Sequence, residues 1–328
     1  MSDVAKSKAV ACRGHGCGAH GDLVFAVLTR DNASLMNEPV ASHGLPAYGE
    51  RYLEMPDGLQ LMVMRFTVPG RRRTILFVHG CGEYGSRYRH VAEYLAQVGW
   101  NVVSVDLRGH GRSAGTPTHV RDFDEYVDDL DTVCRACELV PQETIVMGHS
   151  MGGLVGIRFA QTRPDRLRAL VACSPMLRLS VSVSRWTLFA GWIMSRLAPK
   201  TRFRSRVPAE DTTRCPDVIA RRSREPLLRR SVTAGCFFAM RRAMRAAWDG
   251  ASRLRPPVLV LQAGQDRIAD PTAVVEWVQR LEGADKALMM RAEGYHELLN
   301  DPDWRNTVDL ATQWLEAQLA DETAELCG

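Results

Sequence analysis

Thr144-Ile-Val-Met147 is a charge-free apolar run that breaks into Gly148-His-Ser-Met-Gly152 and passes at once into a helix-compatible Leu154-Val-Gly-Ile-Arg-Phe-Ala160. A strand turns into a helix this sharply only where the two backbones pass so close that flanking positions lack a Cβ. Gly148 and Gly152 meet that demand. The turn holds the Ser150 hydroxyl out of regular geometry, beside the free N–H groups of a helix start, which is what a serine nucleophile needs. A strand feeding a helix in this way is also the repeating unit of a parallel sheet.

The same alternation runs along most of the chain. Arg51–Met55 and Leu59–Phe66 flank Pro56-Asp57-Gly58, a strand, turn, strand signature. Thr74–Val78, Asn101–Val105, Ala169–Cys173, Pro257–Gln262 and Lys286–Met290 read as strands, the first of them apolar enough for burial on both faces. Between them lie helical patterns: Tyr88–Val98, with Val91, Tyr94, Leu95 and Val98 on one face; an acidic Phe123–Leu139; and Thr272–Leu281. A terminal amphipathic helix centres on Val308, Ala311, Trp314, Leu315 and Leu319. Such alternation predicts an α/β fold with a mostly parallel central sheet flanked by helices, and places the ligand site at the carboxyl ends of the strands.

The pattern stops at Ser174-Pro175 and resumes at Pro257. Residues 46–175 and 256–322 are therefore expected to form the core, with 176–255 an inserted helical cap over the site. Between Arg178 and Arg255 stand 17 Arg and one Lys against five acids, a local excess of +13, so that the whole chain's +4 leaves −9 elsewhere. A basic lobe on an acidic body points to anionic lipid surfaces or anionic substrates rather than nucleic acid. Within the cap, Trp186, Phe189, Trp192, Ile193 and Leu197 recur at helical spacing. The first expectation is a face packed on the body, with contact to an acyl chain or a membrane as the alternative.

Nine cysteines at irregular spacing do not make a disulfide framework and suit a reducing compartment. The N-terminal region has no signal-peptide pattern, and Leu23–Leu28 is too short to span a bilayer. The expectation is a cytoplasmic protein with peripheral membrane contact through the cap. Residues 1–45, with Cys12-Arg-Gly-His-Gly-Cys-Gly-Ala-His20, read as a flexible extension and 323–328 as a tail. That Cys/His spacing is too tight for a zinc finger, so no metal and no organic cofactor are expected. Oligomeric state is not legible.

A serine nucleophile needs an imidazole base, and the base needs an acceptor at its far nitrogen. His296 follows the last strand, and Asp266 follows the strand before it; the order Ser150, Asp266, His296 is the one the α/β-hydrolase fold uses. Asp270 is the rival acid. His79 and His110 precede the nucleophile, and His149 is too close along the chain to turn onto Ser150. The oxyanion hole is expected from the backbone N–H groups of Met151 and of Cys81, the latter in the Gly-rich loop after Val78.

Taken together, His79-Gly-Cys-Gly-Glu83 with Arg87-Tyr88, Asp106-Leu-Arg-Gly-His-Gly-Arg-Ser113, Gly148–Gly153, Ser174-Pro175, Gly264-Gln-Asp266 and His296-Glu297 resemble the monoacylglycerol lipase and lysophospholipase group of α/β-hydrolases over residues 48–320. The resemblance implies Ser150, Asp266 and His296 as triad, Cys81 and Met151 as oxyanion donors, and 176–255 as a lipid-facing cap. The expected reaction is cleavage of carboxylic esters of single-chain lipids, lysophospholipids or monoacylglycerols, through an acyl-enzyme. The alternatives are a peptidase or thioesterase on the same triad, and an inactive binding module. Cys81, where the group often has Ala or Gly, and Tyr84, where it has His, depart from the pattern near the pocket floor and entrance.

Overall fold

The structure, a computed structural model, describes residues 24–28, 46–205 and 207–325. The chain runs through strands β1 (Val24–Leu28), β2 (Ala47–Glu54), β3 (Gln60–Thr67) and β4 (Thr74–Val78), helix α1 (Arg89–Gln97), β5 (Asn101–Val105), α2 (Asp124–Ala136), β6 (Thr144–His149), α3 (Met151–Thr162) and β7 (Ala169–Cys173). Then come α4 (Arg185–Leu197), β8 (Arg202–Arg204), α5 (Pro216–Arg222), β9 (Ser231–Thr233) and α6 (Ala234–Asp249). It closes with β10 (Val258–Ala263), α7 (Pro271–Gln279), β11 (Lys286–Arg291) and α8 (Trp304–Glu325).

Among the described residues, nine strands form one sheet in the order β1-β11-β10-β7-β6-β4-β5-β3-β2. Pairing is parallel except where β3 meets β2 and β5. The apolar runs are buried on both faces because successive side chains alternate. Leu76, Val78 and Val146 join α2, α3 and α7 in one core; Ile75, Phe77, Ile145 and Met147 join α1 and α8 in the other. The expected α/β architecture is the observed one.

Several expectations need correction. Val24–Leu28, placed in the extension, is a strand paired in register with Ala287–Arg291 at the edge of the sheet; the Cys12–His20 cluster lies outside the described residues. The segment 176–255 is not one lobe. Its last helix, α6, packs on α3 and contributes Cys236, Ala239, Met240 and Ala243 to the main core, so it belongs to the body layer. The cap also contains an antiparallel ribbon, β8 with β9, too short to leave an apolar run in the sequence. The stripe of α4 does not pack on the body: Trp186 is 82% exposed, Phe189 56% and Leu197 79%. The tail begins later than expected, since α8 continues to Glu325.

Candidate active site

Ser150 stands between β6 and α3 with φ 54 and ψ −115, a conformation L-residues rarely adopt. The surroundings fix it. Its N–H donates to the Cys173 carbonyl at 2.9 Å, and its own carbonyl accepts from Leu154 and Met176, each at 3.1 Å. A Cβ on Gly148 would strike the Gly152 carbonyl, and one on Gly152 the carbonyls of Val78 and His79, so both positions exclude a side chain. The reading of this turn from its glycines is the geometry found.

His296 and Asp266 arrive from the loops after β11 and β10. The Ser150 hydroxyl lies 2.9 Å from His296 Nε2, and His296 Nδ1 lies 2.7 Å from Asp266 Oδ2. The other carboxylate oxygen of Asp266 accepts the N–H groups of Ile268 at 2.8 Å and Ala269 at 2.9 Å, which hold it toward the imidazole. Asp270 is elsewhere. It caps α7 through the Thr272 N–H and pairs with Arg178 at 2.7 Å.

Burial disfavours the Asp266 anion, yet the neighbouring His296 and the two N–H donors outweigh it and hold the carboxyl below its ordinary range. Burial likewise disfavours the His296 cation, and Asp266, with Glu297 and Glu83, outweighs it, leaving the imidazole above its ordinary value.

The N–H groups of Cys81 and Met151 donate to no backbone acceptor among the described residues, so both are free for an oxyanion. Glu83 shapes the Cys81 loop: its carboxylate accepts the Gly80 N–H at 2.9 Å and the Tyr88 hydroxyl at 2.8 Å. His79 ties the same loop to the next, its Nε2 accepting the Leu107 N–H at 3.0 Å, and burial lowers its pKa to about 4. It is a neutral structural group. Burial pushes the Cys81 thiol well up, which keeps it a lining group rather than a thiolate.

An ion network beside His296 has no counterpart among the expected site residues. Arg87 reaches Glu297 at 2.7 Å and Glu225 at 2.5 Å; Arg222 reaches the other oxygen of Glu297 at 2.5 Å. Glu297 follows His296 directly, and its N–H donates to Thr212 of the cap at 2.7 Å. A sequence signal existed only in the recurrence of Arg87 and Glu297 within the quoted motifs. The cap partners Arg222 and Glu225 left none.

Ser150 and His296 open into a cavity of about 1470 Å³, walled by the apolar side chains of Met176, Leu179, Leu188, Met194, Phe237 and Ile268. A more open cleft of about 1040 Å³ around Arg108 holds no triad atom.

A serine held in a strained strand-to-helix turn, with histidine and acid delivered from later strand ends on this sheet order, defines an α/β-hydrolase. The chain belongs to the serine aminopeptidase S33 family, whose model matches residues 69–303. It is 31% identical to phospholipase YtpA of Bacillus subtilis over 70% of this chain and 89% of that protein. It is 29% identical to a monoacylglycerol lipase of Mycolicibacterium smegmatis, over 76% and 89% respectively. Among solved structures, the monoacylglycerol lipase of Paleococcus ferrophilus superposes with a TM-score of 0.71 at 26% identity, covering 83% of this chain and 99% of that one. These likenesses bear out the resemblance drawn from the motifs.

Proposed function

We propose that this enzyme cleaves the carboxylic ester of single-chain lipids, lysophospholipids or monoacylglycerols, with Ser150 as nucleophile. His296 Nε2 takes the Ser150 proton as Oγ attacks the ester carbonyl, while Asp266 holds Nδ1–H and stabilises the imidazolium. The tetrahedral oxyanion rests on the N–H groups of Cys81 and Met151. The alcohol leaves with the proton from His296, and water, deprotonated by the same imidazole, releases the fatty acid from Ser150. The observation that carries the reading is the triad's opening into a large cavity with apolar walls, suited to an acyl chain. The relatives named phospholipase and monoacylglycerol lipase support it.

The family's description as serine aminopeptidase makes peptide cleavage the second reading. A substrate amine would need a free carboxylate in the cavity. Of the lining acids, Glu83 accepts from Gly80 and Tyr88 and Glu297 is bound to Arg87 and Arg222, which leaves only Glu210. The ester reading is favoured. Cytoplasmic location and peripheral contact with anionic membrane through the exposed face of α4 complete the proposal; no helix of the described residues is long and apolar enough to cross a bilayer.

The test is purified protein against monoacylglycerol, lysophospholipid, aminoacyl amide and acyl thioester substrates, with fluorophosphonate labelling in parallel. Lipid ester turnover and labelling are expected, and Ser150→Ala should lose both, with kcat down about 10⁴-fold or more. Amide turnover exceeding ester turnover, or full activity in Ser150→Ala, would overturn the reading.

A further inference from the structure

One flank of the active-site cavity is basic rather than apolar. Arg204, Ser205, Arg222, Arg229, Arg230 and Ser231 all line it. They form one cluster: Arg204 pairs with Ser231 across the β8–β9 ribbon, the Ser205 N–H donates to the Arg230 carbonyl at 2.8 Å, and Arg230 Nη2 donates to the Arg222 carbonyl at 2.9 Å. The cluster is anchored beside the reacting centre, because the Arg229 N–H donates at 2.7 Å to the carbonyl of Gly82, the residue after Cys81.

Arg222 is neutralised by Glu297 at 2.5 Å. Arg204, Arg229 and Arg230 have no carboxylate within ion-pair distance among the described residues. Glu210, exposed on the same lining, is the one acid there outside the buried network. Unpaired like charges gathered in one concavity repel each other and are stabilised by an anionic ligand. A guanidinium matches phosphate oxygens with two parallel N–H donors, and several of them lining one wall of a cavity offer a phosphate both counter-charge and donors.

We propose that Arg204, Arg229 and Arg230 form a headgroup subsite for the phosphate of a single-chain lipid, so that the enzyme selects phosphate-bearing lysolipids over neutral monoacylglycerols. The inference rests on the lipid-ester reading of the cavity. In a lysophospholipid the phosphate stands one glycerol unit from the scissile ester, a length an arginine side chain spans. The exposed guanidinium groups lie where a hydrated headgroup remains in contact with water, while the apolar walls receive the acyl chain. A neutral glycerol headgroup would leave all three cations unpaired.

The experiment compares kcat/KM for lysophosphatidic acid and for monoacylglycerol of the same acyl chain, in wild type, Arg229→Gln, Arg229→Lys and Arg204→Gln/Arg229→Gln. Binding of the uncleavable alkyl-ether analogues is measured alongside. Each charge-assisted pair lost should lower the phosphate-to-neutral ratio about tenfold to a hundredfold, and Arg229→Lys should retain part of it. Glycerol 3-phosphate, as competitor, should bind far more weakly than the ether lipid. If it binds equally well, the cluster is a site for free phosphate and the headgroup assignment falls. An unchanged ratio in both Gln variants overturns the subsite and leaves the ester-hydrolase reading standing. Absence of ester turnover with ether-lipid preference intact overturns the hydrolase reading and supports the subsite.

Discussion

His296 is held between opposing influences, burial against its cation and the Asp266 carboxylate at 2.7 Å for it, and the second prevails. A general base works only when neutral. Activity should therefore fall as pH drops through a pKa above the ordinary histidine value of about 6.5. Asp266→Asn removes the charge that raises that pKa, so the acid limb of kcat/KM should move to lower pH. The plateau should drop about 10³- to 10⁴-fold, as the wrong imidazole tautomer becomes favoured. Asp270→Asn should move neither limb nor plateau, since Asn caps α7 as Asp does and only the partly exposed pair with Arg178 is lost, at a cost of up to about 1 kcal/mol of stability. A limb unmoved by Asp266→Asn, or moved by Asp270→Asn, would place the acid elsewhere. These assignments follow from chain order in the sequence up to the choice between two aspartates four residues apart. Hydrogen bonding separates the two: Asp266 faces His296 with its other oxygen held by the N–H groups of Ile268 and Ala269, whereas Asp270 faces Thr272 and Arg178.

Helix α4 rests on α6 by one face and leaves the other in water. Leu188, Gly191 and Met194 line the cavity, while Trp186, Phe189 and Trp192 look outward, the latter two rings stacked at 6.2 Å. Large aromatic side chains kept in water on a lid cost free energy that an interfacial location recovers. Cap arginines without carboxylate partners add electrostatic attraction of about 1 kcal/mol each near an anionic surface. Co-sedimentation with vesicles should accordingly be stronger with anionic than with neutral lipid, and should weaken as salt shortens the Debye length from about 10 Å at 0.1 M. Trp186→Ser/Phe189→Ser should reduce binding to both vesicle types, with hydrolysis of a soluble short-chain ester retained. Equal binding to neutral and anionic vesicles would remove the electrostatic part of this docking. The periodicity of α4 was plain in the sequence; which side of it faced protein was not, because a stripe looks the same whether it meets a core or a membrane.

Cap and body are joined through buried charge as well as apolar contact. Arg87, its side chain 3% exposed, bridges Glu297 of the body and Glu225 of the cap, and Arg222 of the cap returns to Glu297. Removing one partner of a buried network strands the others, at a cost of about 3–5 kcal/mol. Arg87→Ala should lower thermal stability by that amount. Arg89→Ala should fall within about 0.5–1 kcal/mol of wild type, because its pair with Glu93 is solvent-exposed on both sides. Comparable stability losses in the two variants, read from thermal or denaturant unfolding, would show that the network contributes no more than a surface pair.

The sequence by itself determined what depends on neighbours along the chain. The glycines at 148 and 152 specify a backbone approach, the apolar runs Ile75–Val78, Ile145–Met147 and Val258–Leu261 specify strands covered on both sides, and the order Ser150, Asp266, His296 follows from strand ends. Tertiary structure alone decided what depends on residues far apart in sequence. Arg87 meets Glu297 across 210 residues. β1 finds the edge of β11, and Arg229 comes to rest against Gly82. The physical reason is that sterics and periodicity act over a few residues and leave a local pattern, whereas an ion pair or an edge pairing is fixed only when the fold sets both partners in place.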